Sequence, residues 1–199
     1  MATTTFSSTL NNTTINTNQM YAMTGGNVPA NARINSVSIA VSCSRNDSSQ
    51  PGYWNNSGYK TPVKIYKTAS TSGTLIATYK KKYVSGYGNN IQYEEEKTIN
   101  NSSGLLGVNT IYWYWERTGD GVSSINNATV TVTITVTYSI PRTVTVNCSP
   151  SGGGSASASP STAYAGDQVT LSQSAATNYI FDSWSRICAF SMKSILLEK

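Results

Sequence analysis

The segment ATVTVTITVTYS, residues 128–139, leaves little choice of secondary structure. Val130, Val132, Ile134, Val136 and Tyr138 fall at every second position, with threonines between them. A strand turns successive side chains to opposite faces, so this spacing gathers the large residues on one side. β-Branched residues on both faces crowd a helix but suit a pleated strand. An apolar face of that length needs a second layer to cover it.

The same period recurs along the chain. In ARINSVSIAVSCS, Ile34 is followed by Val37, Ile39, Val41 and Cys43, with small polar residues or alanine between the last four; NVPANA before it reads as an entry turn. Further strands are expected at TPVKIYK, GTLIATYKKKY, IQYEEEKTI and NTIYWYWER. Gly-, Asn- and Ser-rich stretches separate them, including SRNDSSQPGYWNNSGY, VSGYGNN, NNSSGLLG and RTGDGVSSINN. No amphipathic helix appears before the extreme C-terminus. The pattern predicts an all-β chain built on an antiparallel β-sandwich of jelly-roll or Ig-like type.

Only 12% of residues are charged, so Asn, Ser and Thr must solvate the surface. The net charge of +5 is mild and falls short of the dense basic patch a nucleic-acid binder needs. There is no histidine, which excludes Ser-His-Asp and Cys-His catalysis and imidazole metal sites. Cys43, Cys148 and Cys188 are widely spaced and odd in number, without a C-x-x-C pair. They read as reduced apolar fillers; a Cys43–Cys148 bridge would require neighbouring strands. MATTTFSSTLNN lacks the basic start and apolar core of a signal peptide, and no run is long enough to span a membrane. No cofactor is expected.

Two resemblances follow from longer patterns. VPANARINSVSIAV followed by INNATVTVTITVTY resembles a family of jelly-roll-like modules in phage structural and bacterial surface proteins, over roughly residues 20–140. After Pro141, RTVTVNCSP, GGGSASASP, AYAGDQVTLSQSA and NYIFDSW follow in order. That order resembles the internalin-type (Listeria–Bacteroides) β-repeat of bacterial surface proteins. Val144, Val146, Pro150, Gly153, Tyr164, Gly166, Val169, Leu171, Tyr179, Phe181, Trp184 and Ser185 carry the likeness. It implies a β-sandwich domain over 1–140 and a small β-repeat domain over 141–199. Phe181 and Trp184 would supply the bulky core groups of the repeat. After Trp184 the tail RICAFSMKSILLEK departs from the pattern and reads either as a short helix or as an incomplete end.

The aromatic and charged clusters are the candidate sites. On a strand, IYWYWER turns Ile111, Trp113 and Trp115 one way and Tyr112 and Tyr114 the other; one face is core, and the other packs cross-strand, at a subunit contact or as a glycan platform. Tyr53, Trp54 and Tyr59 lie in a loop, where binding residues concentrate. Lys80, Lys81 and Lys82 could meet an anionic polymer, but pairing with Glu94, Glu95 and Glu96 across a hairpin is the preferred reading. Paired carboxylates could make a glycosidase, but Glu116 and Asp120 merely flank a turn, Asp167 and Asp182 lie in the repeat, and no motif supports any of them, so no enzyme activity is expected. Asp120 in TGDGV supplies too few oxygens for calcium, so no metal site is expected.

These readings lead to a non-enzymatic bacteriophage virion surface protein, either a capsid decoration or a tail appendage. It would dock through the sandwich on other virion proteins and assemble as a homo-oligomer, with no nucleic-acid partner and no membrane insertion. The β-repeat would project outward toward a host-surface glycan. The competing expectation is a bacterial cell-surface adhesin or carbohydrate-binding module.

Overall fold

The computed structural model describes residues 1–45, 49–54, 61–85, 92–118, 121–186 and 193–198. The chain forms two compact units, Met1–Tyr138 and Ser139–Lys199.

The first unit runs through β1 (Ala2–Asn16), β2 (Met20–Met23), β3 (Arg33–Cys43), β4 (Tyr53–Trp54), β5 (Val63–Tyr66), β6 (Leu75–Ser85), β7 (Gln92–Ile99), β8 (Ile111–Trp115) and β9 (Ser124–Ser139). β9 lies between β1 and β3 in a three-stranded sheet. The six-stranded sheet has the order β2-β8-β5-β6-β4, with β7 also paired to β6. The expected all-β sandwich is what forms.

The inner faces meet in one apolar cluster. Phe6, Ile15, Val130, Val132, Ile134 and Val136 come from the smaller sheet, and Val63, Ile65, Tyr79, Ile111, Trp113 and Trp115 from the larger. Tyr21 stacks on Trp113 with ring centroids 4.5 Å apart. On the other side of β9, hydroxyls of Thr3 and Thr137, Thr5 and Thr135, and Thr9 and Thr131 lie 3.4, 3.5 and 3.1 Å apart. Burying each Val or Ile is worth roughly 1.5–3 kcal/mol, against about 0.2–1 kcal/mol for a cross-strand threonine contact. The inner face therefore holds the strand in place.

β1 was not visible in the sequence pattern. Its only large apolar residues are Phe6, Leu10 and Ile15, and the last two are an odd number of positions apart. An uninterrupted strand would send them to opposite faces. Register shifts between Leu10 and Thr13 and between Thr13 and Ile15 reset the phase, with Asn12 at φ 43°. Ile15 thereby enters the core.

The second unit contains β10 (Arg142–Thr143), β11 (Cys148–Ser149), β12 (Gly154–Ser159), β13 (Thr162–Ala163), β14 (Thr170–Ala175), β15 (Ile180–Arg186) and β16 (Lys193–Glu198). The Gly/Ser stretch is strand β12, antiparallel to β14. Gly154, at φ 152°, lies so close to the Ser174 carbonyl that a β-carbon has no room. The tail forms a strand where a helix was considered: β16 pairs with β15 and with β11. Its backbone partners, from Phe181↔Leu197 to Arg186↔Lys193, satisfy the groups a lone helix would satisfy internally. Phe181 and Trp184 pack on each other, 5.4 Å between centroids, but both stay half-buried rather than forming a sealed core. Cys43 and Cys148 carry thiols, and Cys188 lies outside the described residues.

Truncating Ile134 to alanine should cost about 3 kcal/mol by loss of buried contact and a residual cavity. Thr135→Ala, one position along on the opposite face, should cost less than about 1 kcal/mol. Urea unfolding followed by tryptophan fluorescence reads both; equal losses would mean that the faces of β9 are misassigned.

Candidate ligand-binding face

The lysine run and the glutamate run face each other as the hairpin reading requires. Lys80, Lys81 and Lys82 stand opposite Glu96, Glu95 and Glu94 in the β6–β7 register. Lys80 Nζ lies 2.9 Å from Glu96 Oε1. Alternation then splits the candidate residues between two faces.

Lys81 joins the inner side. Its ammonium donates to Gln50 Oε1 at 3.1 Å and sits 4.6 Å from the centre of the Tyr93 ring. Tyr53 meets Tyr93 edge-on, with centroids 6.3 Å apart. The Tyr79 hydroxyl donates to Glu95 Oε1 at 2.7 Å, and Lys97 holds Glu95 Oε2 at 2.7 Å. The hydrogen bond from Lys97 keeps the Glu95 carboxyl below its ordinary range. Gly52, at φ 92°, lets the neighbouring loop backbone lie against the Tyr79 ring, where a β-carbon would come within 2.6 Å. Tyr53 and Lys81 are thus engaged in this packed corner. The backbone of Trp54 lies in β4, parallel to β6. Tyr59 and Asp120 lie outside the described residues.

Lys80 and Lys82 project from the opposite, outer side of the six-stranded sheet. There the register builds a row across five strands: Met20 opposite Tyr114, Tyr114 opposite Lys64, Lys64 opposite Thr78, and Thr78 opposite Thr98. The next row places Ala22, Tyr112 and Tyr66 side by side. Tyr112 and Tyr114 are half-buried, a state that leaves part of each ring accessible. The Tyr114 hydroxyl donates to Asn18 Oδ1 at 3.0 Å, and its ring meets Tyr66 edge-on at 6.3 Å. Both contacts fix its orientation. Partial burial, with Glu116 nearby, pushes the Tyr114 phenol above its ordinary range.

Glu116, considered as a catalytic acid, is bound by Lys64 Nζ at 2.7 Å. Asp167 accepts from the Tyr164 amide and Asp182 from the Ser183 hydroxyl. Among the described residues, no three His, Cys, Asp or Glu side chains gather as a metal site. The sequence reading passed over Lys64, Tyr66 and Asn18. Each is isolated in the sequence, and only strand order brings it to the tyrosines.

Residues 144–195 match the family model for the divergent InlB B-repeat domain. The expected internalin-type likeness holds over that segment, and it fits a surface-associated β domain. The jelly-roll-like likeness of residues 20–140 has no such match behind it. Searches of curated proteins and of solved structures find no match.

Burial, then the hydrogen bond to Glu95, pushes the Tyr79 phenol well above its ordinary value of 10.0. A folded-state value above the unfolded one gives stability that is complete below about pH 10 and is lost as pH rises toward the folded value. Tyr79→Phe should cost about 2 kcal/mol at neutral pH, as a hydrogen bond to a charged partner is lost. It should also flatten the alkaline fall in stability measured by urea unfolding up to about pH 11. An unchanged alkaline slope would mean that Tyr79 is not its source.

Proposed function

We propose that this chain is a non-enzymatic adhesion or display protein of a cell surface. The match of residues 144–195 to the B-repeat domain carries the reading. The low charge leaves solvation of the surface to Asn, Ser and Thr, whose short side chains suit turns and exposed strand faces. No helix among the described residues is long and apolar enough to cross a membrane, so the proposal does not use a helical anchor. The sandwich supplies rigid strands on which side chains can be displayed at fixed spacing.

The absence of histidine and the pairing of Glu116 with Lys64 favour binding over turnover. A virion location remains the competing assignment, and a single fractionation separates the two.

An antibody against the second unit, applied to intact cells that make the protein, should label their surface without permeabilisation. Labelling only after permeabilisation contradicts the proposal. So does recovery of the protein with purified virus particles from a lysate instead of with the cell envelope.

A further inference from the structure

The outer face of the six-stranded sheet combines aromatic rings with charges that are already paired. Lys64 lies 2.7 Å from Glu116 and Lys80 2.9 Å from Glu96, while Lys82 stands opposite Glu94. Among the described residues, each of these three lysines has a glutamate as its contact or register partner, so their charges are balanced. A neutral face exerts little pull on an anionic polymer, despite the +5 of the whole chain. That weighs against the acidic-polymer role considered for Lys80–Lys82.

We propose that this face binds a neutral, hydroxyl-rich glycan chain, with Tyr112 and Tyr114 as the stacking platform and Lys64 and Glu116 as hydrogen-bonding partners. The inference rests on the adhesive reading above and names its ligand class. A tyrosine ring offers a broad apolar surface at small entropic cost, because only two torsions must be held. Tyr114 has already lost that freedom, held by Asn18 at its hydroxyl and by Tyr66 at its edge. A sugar ring places C–H bonds on its faces and hydroxyls around its rim, so it can stack on the phenol while its rim reaches polar groups.

Those groups stand at the right place. Lys64 is the register partner of Tyr114, and Glu116 follows two positions along the same side of the chain. Their contact joins one ammonium nitrogen to one carboxylate oxygen, and both side chains remain about one-quarter exposed, at 26% and 25%. An ammonium carries three donors and a carboxylate two acceptor oxygens, so the pair can also receive a hydroxyl, which both donates and accepts. Thr78 and Thr98 extend the row with short hydroxyls. Charges that neutralise each other favour a partner bearing hydroxyls over one bearing a charge of either sign, since the latter would have to break a pair.

The test is native affinity electrophoresis of the full chain in gels containing mixed-linkage β-glucan, galactomannan or dextran, with alginate and heparin gels as acidic probes. The wild type should be retarded by at least one neutral polysaccharide, and about 0.5 M salt should leave the retardation intact. Tyr112→Ala and Tyr114→Ala should each weaken it about tenfold or more. Thr135→Ala, on the other sheet, should bind like the wild type. Near-UV circular dichroism checks the fold; if an alanine variant is unfolded, Lys64→Gln and Tyr112→Ser take its place and should weaken binding. Absence of retardation in every neutral gel overturns the inference, as does wild-type binding by folded tyrosine variants. Retardation confined to alginate or heparin and abolished by salt overturns it too. Surface labelling without neutral retardation removes this inference alone; neutral retardation with purely internal labelling removes the surface assignment alone.

Discussion

The packing of β9 against the tryptophan face of β8 is the contact on which the first unit depends. Val130, Val132, Ile134 and Val136 supply one side, and Trp113 and Trp115 are buried on the other. The same period-two geometry that sends those tryptophans inward must send Tyr112 and Tyr114 outward. Core and candidate face are therefore two consequences of one strand. A one-residue slip of β8 would exchange them, exposing two indoles and burying two phenols. The buried indole nitrogens of Trp113 and Trp115 find no hydrogen-bond partner among the described residues, a polar cost set against the large apolar area these rings bury.

Electrostatics add specificity to this frame rather than bulk stability. Exposed ion pairs such as Lys80–Glu96 are each worth about 0–1 kcal/mol, less than one well-buried Val. Their effect lies in register and in sign. Opposite charges stand directly across β6 and β7, and a one-residue slip would leave one of the three lysines opposite Tyr93 or Lys97 in place of a glutamate. The pairing also cancels the field that a lysine run alone would project. On the inner side, the bond from Tyr79 to Glu95 ties the same hairpin to the core.

Strongly alternating strands were legible from residue types alone. β9, β3 and β8 declare themselves because their apolar residues keep a constant phase. β1 does not, because its phase is reset between Leu10 and Ile15, and because Thr and Ser occupy most of its length. The tail was misleading for a related reason: SILLE has adjacent apolar residues, and its strand is defined by β11 and β15 on either side. Of the candidate site, the facing lysine and glutamate runs could be anticipated. The grouping of Lys64, Tyr66 and Tyr114 could not, since it comes from β5 lying beside β8 in the sheet, not from proximity in the chain.

In the proposed binding mode, the outward side of β8 is where this protein meets its ligand. Aromatic-ring NMR of tyrosine-labelled full chain, titrated with a soluble oligosaccharide of mixed-linkage β-glucan, galactomannan or dextran, tests it most directly. Progressive shifts of Tyr66, Tyr112 and Tyr114, with Tyr53 and Tyr93 unmoved, are the predicted result. Shifts centred on Tyr53 and Tyr93, or no shift with any of the three sugars, would contradict it.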